Sequence, residues 1–202
     1  MSDLFVSSEP VPPWDEVMAD AMGCTRCRLS EGRTNVVWGV GRRDADLMFV
    51  GEGPGHDEDV KGEPFVGRAG QLLTRLIEGI GLSRDDVYIA NVVKCRPPNN
   101  RDPQPDEIEA CSPFLRAQVA HVGPKVLMTL GNFATKQLLG TTEGITKIRG
   151  REFPFRDGDA VLIPTFHPAA VLRGRGDALA HMRADFVLAK RAMRRHAGAS
   201  DA

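Results

Sequence analysis

The sequence predicts an α/β protein with a three-layer α/β/α architecture and a central four-stranded parallel sheet. Short apolar runs of strand length alternate along the chain with segments in which apolar residues recur at helical spacing. The strand runs are continuously apolar, as expected for strands that helices cover on both faces. The length of 202 residues suits one domain with a sizeable core.

The first two β-α units occupy the middle of the chain. Residues 47–50 form the first predicted strand, and the helix after it presents Leu72 and Leu76 on one face. Residues 87–93 form the second strand. The helix that follows opens at Pro105, where proline and the acids after it are favoured in a first turn.

The last two units complete the predicted sheet. Residues 124–131 form the third strand, and a short helix over residues 133–139 is stopped by Gly140. Residues 160–164 form the fourth strand, and a final helix is expected over residues 177–195.

The two ends of the chain are expected to lie outside the folded domain. A single domain is expected over residues 14–195, with residues 1–13 as a flexible, proline-rich lead-in and residues 196–202 as a flexible tail. No run approaches the roughly 20 apolar residues of a membrane span, and the start lacks the pattern of a signal peptide. We therefore expect a cytoplasmic protein without membrane contact and, by default, a monomer.

Charge is distributed unevenly between the two halves. Residues 1–100 carry 11 basic and 16 acidic side chains (net -5), and residues 101–202 carry 15 and 11 (net +4). The difference either reflects ordinary variation or indicates a basic face that binds a polyanion.

Side chains suited to chemistry follow the predicted strands. In parallel α/β sheets, ligands bind beyond the carboxyl ends of the strands. The segments expected at that edge are residues 52–55, 91–95, 131–132 and 165–168.

The glycine-rich turn at residues 51–55 is not a dinucleotide-binding fingerprint, because the third glycine of that motif would fall at His56. The acids Asp57, Glu58 and Asp59 beside it would repel a pyrophosphate. The turn is therefore either structural, or its carboxylates position water or stabilise a developing cation.

Three further residues each have a structural and a functional interpretation. Phe65, in the glycine-rich loop 62–70, either plugs the core or offers a flat face to a base. Asn91 either bonds local backbone or presents its amide to a ligand; its donor and acceptor match O4 and N3–H of uracil and mismatch cytosine. His167 is either a satisfied residue of the surface or core, or a polar group of the site.

The four cysteines of the chain are Cys24, Cys27, Cys95 and Cys111. Without an export signal they are expected to be reduced. The first pair has the spacing of metal ligands but precedes the first β-α unit, which argues against thioredoxin-type chemistry. Four thiolates suit a tetrahedral zinc or an iron–sulfur cluster, and the spacing does not separate these from each other or from four unrelated buried thiols.

Taken in order, these motifs resemble family 4 of the uracil-DNA glycosylases, the iron–sulfur branch of that superfamily. The resemblance extends over residues 24–195. It implies hydrolysis of the N-glycosidic bond between uracil and deoxyribose in DNA, after the nucleotide is flipped into a pocket. The matching segments are residues 51–55 with Glu58 and Asp59, residues 62–70, residues 91–98, residues 167–170 and the cysteine layout.

The resemblance implies a role for each residue of the uracil pocket. Phe65 would stack on the base, Asn91 would read its Watson–Crick edge, and Glu58 would close the C5 side against the methyl group of thymine. His167 would donate a hydrogen bond to O2, where negative charge grows as the base leaves.

The water-positioning role falls to Glu52 or Gly53. In related branches the third residue of the turn is an acid that positions water, whereas here that residue is Gly53. Water would be held by the Gly53 backbone, by Glu52 or by both. We take Glu52 as the catalytic carboxylate, which orients water or stabilises the oxocarbenium-like sugar.

The resemblance also implies that the four cysteines bind a 4Fe-4S cluster of structural role, which pins the N-terminal segment and the loop after the second strand beside the DNA. Basic residues near them are predicted to contact phosphates without reading sequence. These are Arg26, Arg28, Lys94, Arg96 and Arg101.

A second group of DNA contacts is predicted after His167. Val171 or Leu172 would wedge into the gap left by the flipped base, with Arg173 and Arg175 on the DNA backbone. The alternative is that the two apolar residues cap the core.

The predicted enzyme is a monofunctional glycosylase that releases its product and turns over, leaving an abasic site in the DNA. A related branch captures the abasic product through a histidine in an insertion after the second strand, whereas residues 95–105 are short here and contain no histidine. No lysine is placed for Schiff-base chemistry, so strand cleavage is not expected. The competing hypothesis is a metal-stapled nucleic-acid-binding module without catalysis.

Overall fold

The structure is a computed structural model that describes residues 10–155, 158, 160–174 and 176–198. Helices and strands alternate along this part of the chain. The strands are β1 (Val40–Gly41), β2 (Leu47–Gly51), β3 (Tyr88–Asn91), β4 (Val126–Leu130), β5 (Phe153–Phe155) and β6 (Ala160–Thr165). The helices are α1 (Trp14–Met22), α2 (Leu29–Gly32), α3 (His56–Lys61), α4 (Arg68–Gly79), α5 (Pro105–Val122), α6 (Asn132–Leu139), α7 (Ile145–Ile148), α8 (Pro168–Leu172) and α9 (Ala178–Gly198).

The middle layer is one six-stranded sheet in the order β1-β3-β2-β4-β6-β5. Strands β3, β2, β4 and β6 run parallel, which confirms the predicted parallel centre. Strands β1 and β5 pair antiparallel at the two edges. They were not predicted, because segments of two and three residues are too short to show a hydrophobic period.

Helices cover both faces of the sheet, as the three-layer prediction requires. One face packs against α1, α5 and α6, with Tyr88 and Leu115 in its core. The other packs against α4, α8 and α9, with Phe49 and Phe186 stacked. Every residue of β2 and β4 is buried, which explains why their sequences are continuously apolar.

Local sequence features explain where two of the helices, α4 and α5, form and which side they bury. Helix α4 turns its buried residues, Leu72 and Leu76 among them, toward the sheet. Helix α5 starts at Pro105, and the Glu107 carboxylate accepts a hydrogen bond from the Gln104 amide at 2.8 Å. Such first-turn contacts satisfy amides that the helix itself leaves unpaired.

The ends of the chain lie partly outside the described residues. Residues 10–13 are exposed and precede α1, and α9 continues to Gly198, past the predicted helix end at residue 195. Residues 1–9 and 199–202, which belong to the predicted lead-in and tail, are outside the described part. Within that part, no helix combines the length and apolar character needed to cross a bilayer.

The order of the strands determines where a crevice forms. From β2 the chain adds β3 on one side, and then β4 and β6 on the other. The direction of winding therefore reverses between β2 and β4, and ligands bind outside the carboxyl ends of strands at such a reversal.

Candidate active site

A cleft of about 750 Å³ opens at the carboxyl edge of the four parallel strands. The segments that follow β2, β3, β4 and β6 all contribute to its walls. The structure thus brings together the predicted pocket residues. They are Glu52, Gly53, Glu58, Phe65, Asn91 and His167.

Phe65 is held in one position by its surroundings. Its φ of +54° is in the left-handed region, which is uncommon for residues other than glycine. Arg84 donates hydrogen bonds to the carbonyls of Pro64 (2.9 Å) and Phe65 (3.3 Å). A Cβ on Gly70 would lie 1.7 Å from the Phe65 oxygen, so the loop packs directly on α4. The ring both packs on the core and lines the cleft, so the two interpretations of Phe65 are compatible.

Asn91 is the last residue of β3, not an interior one as its apolar surroundings suggested. Among the described residues, its buried Oδ1 has no hydrogen-bond partner. Beside it, a Cβ on Gly51 would lie 2.4 Å from Oδ1 and 2.6 Å from Cζ of Phe65, so amide and ring form adjoining walls. A buried acceptor without a partner costs free energy that a ligand's N–H would recover.

His167 presents a hydrogen-bond donor to the cleft. It caps α8, and its Nδ1 accepts from the Ala169 amide at 3.2 Å, which places the proton of the neutral ring on Nε2. Burial lowers the pKa of His167 to about 4, and Arg173 acts in the same direction. The imidazole is therefore neutral at pH 7. Its ring centre lies 5.7 Å from that of Phe65, with the planes 33° apart.

Glu58 joins the two loops that form one wall. Its Oε1 accepts from the amides of Val66 (3.0 Å) and Gly67 (2.9 Å), and its Oε2 accepts from the amide of Gly55 (3.1 Å). The carboxylate therefore holds the turn after β2 against the loop that bears Phe65. This structural contribution was not visible in the sequence.

Glu52 lies half-buried in the same cleft, hydrogen-bonded to Asp102. Burial and the neighbouring Asp102 carboxyl raise the pKa of Glu52 to about 7. Asp102 comes from the loop between β3 and α5, and sequence reasoning missed it. No local pattern around Asp102 marks it, because its partner is 50 positions away (102 minus 52).

The predicted wedge residues differ in their exposure. Leu172 is 40% exposed, whereas Val171 packs partly buried against the core of the α4/α9 face. Arg173 lines the cleft, and Arg175 lies outside the described residues. Of the two apolar candidates, Leu172 is the one that protrudes.

The predicted phosphate contact of Lys94 is wrong. Lys94 is only 1% exposed, and its Nζ donates to the Asn91 carbonyl at 2.7 Å and to Oε1 of Gln118 at 2.6 Å. A lysine in an apolar segment is buried here because two acceptors satisfy its ammonium. The other predicted basic residues are at the surface or partly exposed, with the partners Asp20 for Arg26, Asp106 for Arg28, Asn100 for Arg96 and Glu107 for Arg101.

The four cysteines are unpaired and line one small cavity on the α1/α5 face. Arg33 donates to Sγ of Cys95 at 3.4 Å, and the Lys94 amide donates to Sγ of Cys111 at 3.2 Å. Burial raises the pKa of Cys111 to about 11 and also raises that of Cys95. In the described ranges, no three His, Cys, Asp or Glu side chains converge closely enough to hold a single metal ion.

The fold and the cleft at its strand ends are those of a known class. The chain belongs to the uracil DNA glycosylase superfamily, whose family model matches residues 38–191. Within that class it is similar to type-4 uracil-DNA glycosylases. It is 52% identical to the type-4 enzyme of Thermotoga maritima, over 77% of this chain and 81% of that protein. It is 47% identical to those of Sulfurisphaera tokodaii (78% of this chain, 75% of that protein) and Archaeoglobus fulgidus (78% and 82%). The resemblance to family 4 is thereby confirmed.

Proposed function

We propose that the protein is a monofunctional uracil-DNA glycosylase of DNA repair, which flips uracil out of DNA and hydrolyses its N-glycosidic bond. The observation that supports this most directly is that two polar side chains share one cleft with the Phe65 ring. The unpartnered Oδ1 of Asn91 and the neutral imidazole of His167 face one cleft.

The base is recognised by shape and by hydrogen bonds. Phe65 stacks on the uracil ring, and Asn91 accepts from N3–H through Oδ1 and donates to O4 through its amide nitrogen. Cytosine presents the opposite donor and acceptor at both positions, which leaves the buried amide unsatisfied. Discrimination against cytosine therefore follows from one carboxamide. On the C5 side, Glu58 holds the pocket wall where the methyl group of thymine would lie.

Bond cleavage places an electron pair on the departing base. As the C1′–N1 bond breaks, negative charge grows on O2 of uracil and His167 Nε2–H donates to it. Because the imidazole is neutral, it stabilises this anion as a hydrogen-bond donor without transferring its proton. Donors of this kind strengthen in the transition state and contribute about 3–4 kcal/mol.

Water completes the reaction at the sugar. Its oxygen attacks C1′, and its proton passes to the carboxyl pair of Glu52 and Asp102, which carries one negative charge below about pH 7. The uracil anion or solvent then removes this proton. The Gly53 backbone lies beside Glu52 in the cleft and contributes to holding this water. The products are free uracil and an abasic site.

The exposed Leu172 and the cleft residue Arg173 are suited to contact DNA at the rim. Leu172 fills the space that the flipped nucleotide leaves in the duplex, and Arg173 contacts the phosphate backbone. Arg175, outside the described residues, is proposed for the same role on sequence grounds alone.

The four thiols around the cysteine cavity are a donor set suited to a 4Fe-4S cluster, and we propose that they hold one. Cys24, Cys27, Cys95 and Cys111 supply four unpaired thiols around one cavity, and two N–H groups already donate to their sulfurs. Bound by these four cysteines, the cluster would cross-link three segments of the chain and would have a structural role, apart from the hydrolysis. Those segments are the loop after α1, the loop after β3 and helix α5.

Release of free base from a uracil-containing oligonucleotide tests the function. We expect release from this substrate and none from the same duplex with thymine. Asn91→Ala should lower the single-turnover rate by orders of magnitude with little change in DNA affinity, whereas Arg173→Ala should mainly weaken binding. Absence of release by protein with a full complement of iron would defeat the proposal and favour a binding module.

A further inference from the structure

Two carboxyl groups from different loops meet inside the cleft. Glu52 follows β2, Asp102 precedes α5, and the two side chains are hydrogen-bonded to each other. A hydrogen bond between two carboxyl groups requires that they share a proton, because an ionised carboxylate has none to donate. Among the described residues, neither group forms an ion pair with a lysine, arginine or histidine.

We propose that Asp102 is a positioning residue for the hydrolytic step: by sharing a proton with Glu52 it orients that carboxyl toward water and leaves the pair one negative charge facing the sugar. This inference rests on the proposed function. It assigns Asp102 a role that neither its local sequence nor its exposure indicates.

The loop that bears Asp102 is fixed by contacts outside the cleft. Arg101 donates to both carboxylate oxygens of buried Glu107, at 2.8 and 2.6 Å, and to the backbone carbonyl of Asp102 at 2.9 Å. Glu107 also accepts from the Gln104 amide. The Arg101 guanidinium thus bonds to Glu107 and to backbone, and it leaves the Asp102 carboxyl to pair with Glu52.

The other charged groups around the cleft do not replace this pairing. Glu58 is committed to three backbone amides, and His167 is neutral at pH 7. Lys136 and Arg173 line the same cleft without an ion pair to either carboxyl in the described part of the chain. Burial and the second carboxyl therefore dominate, and they raise the pKa of Glu52 to about 7.

The proton balance of the step follows from this pairing. With one shared proton the pair carries one negative charge, which stabilises the cationic sugar as the C1′–N1 bond breaks. When the water oxygen attacks C1′, its proton moves to the pair, which becomes neutral and later releases that proton to solvent or to the uracil anion. Above its pKa of about 7, Glu52 loses the shared proton, so the pair carries two negative charges and has no hydrogen-bond donor. The ordered pair is then lost, and the rate should fall as pH rises through about 7.

Single-turnover rates on a uracil-containing oligonucleotide, measured with saturating enzyme between about pH 5 and 9, test the inference. For the parent, about a tenth of the plateau rate is expected at pH 8, one unit above the midpoint near 7. Asp102→Asn removes the second acid but keeps a hydrogen-bond donor to Glu52. Without the second charge the pKa of Glu52 should fall below 7, although burial still holds it above the ordinary glutamate value of about 4.3. The loss of rate above pH 7 should then disappear, because the amide still donates to the ionised Glu52 carboxylate.

Two controls separate this result from a general disturbance of the loop. Asp106→Asn makes the same chemical change four positions along the chain, outside the cleft lining, and should leave the midpoint unchanged. Glu52→Gln should remove the inflection altogether. Thermal unfolding establishes whether each variant is folded. If Asp102→Asn does not fold, Asp102→Ala is used in its place.

The outcomes distinguish the inference from the function on which it rests. A folded Asp102 variant with the parental midpoint, or a parent whose rate does not fall as pH rises through about 7, overturns the role of Asp102 while uracil release still stands. A parent that releases no uracil at any pH overturns the function itself.

Discussion

At the scale of single residues, Gly51 determines the width of the proposed uracil slot because it has no side chain. A Cβ at this position would lie 2.4 Å from Oδ1 of Asn91 and 2.6 Å from Cζ of Phe65, closer than real contacts allow. Both the carboxamide and the ring would have to move. A side chain at Gly51 would therefore displace the part of the cleft wall that Asn91 and Phe65 form.

Gly51→Ala is expected to lower the rate of uracil release by about 100-fold, because displacements near 1 Å in a reacting geometry cost that much. Single-turnover kinetics measures it. Gly79→Ala, where nothing lies within 4 Å of the added carbon at the end of α4, is the matched control. The control should retain the parental rate. Parental activity in Gly51→Ala would show that the slot can widen.

His167→Ala is expected to lower the single-turnover rate by about 100- to 1,000-fold, since it removes the donor to the growing charge on O2. Because the pKa of His167 is about 4, an inflection of the parental pH profile above pH 5 should not originate from this residue. DNA affinity, measured separately by titration, should change little. Equal losses of affinity and rate would indicate that His167 acts in binding alone.

At the scale of secondary-structure elements, the end of β6 is held by a buried polar network. Arg149 donates to the Asp185 carboxylate, which also accepts from Thr165 Oγ1 at 2.6 Å. Asp185 is on α9 and only 1% exposed. The network therefore fastens the strand that leads into His167 to the helix layer behind it.

Asp185→Ala is expected to lower the free energy of unfolding by about 3–5 kcal/mol, because it leaves the Arg149 charge and the Thr165 hydroxyl without their partner. Urea denaturation measures the change. Asp44→Ala removes an exposed ion pair with Arg42 and should cost no more than about 1 kcal/mol. Similar losses in both variants would contradict a special role of the buried network.

The Cys95→Ala variant tests whether the cysteine cavity stabilises the segments that surround it. We expect loss of bound iron and a fall in Tm of roughly 10 °C, as the loss of about 3 kcal/mol would give in a chain of this size. The preference for uracil over thymine should persist, because Cys95 is not in the cleft lining. Metal analysis and thermal unfolding check this, with Ser112→Ala on α5 as control. An unchanged Tm would remove the structural role of the site.

At the scale of the whole molecule, one face combines the cleft with an exposed apolar side chain. Leu172→Ala is expected to slow release from duplex DNA about tenfold or more, since a base step costs a few kcal/mol to unstack. Single-stranded substrate needs no such wedge and should be cleaved at the parental rate. Val187→Ala, also exposed (43%) but on α9, is the control. Equal slowing on both substrates would argue against a wedge.

The parallel centre of the sheet was predictable because each of its strands is buried on both faces and so reads as one apolar run. Edge strands β1 and β5 were not, because their short pairing is stabilised by neighbours distant in sequence. The same contrast holds in the cleft. Residues that directly follow strands were predicted, whereas Asp102, on a longer loop, was missed and Lys94 was assigned to the surface.

The sequence by itself determined the chain's family, its parallel α/β centre and the residues that follow each strand, since strand periodicity and motif order are local properties. Only the tertiary structure decided that Asn91 Oδ1 lacks a partner among the residues it describes, that the His167 ring is neutral, and that Glu52 meets Asp102. Protonation and hydrogen bonding depend on desolvation and on partners from remote segments. Those quantities exist only once the chain is packed.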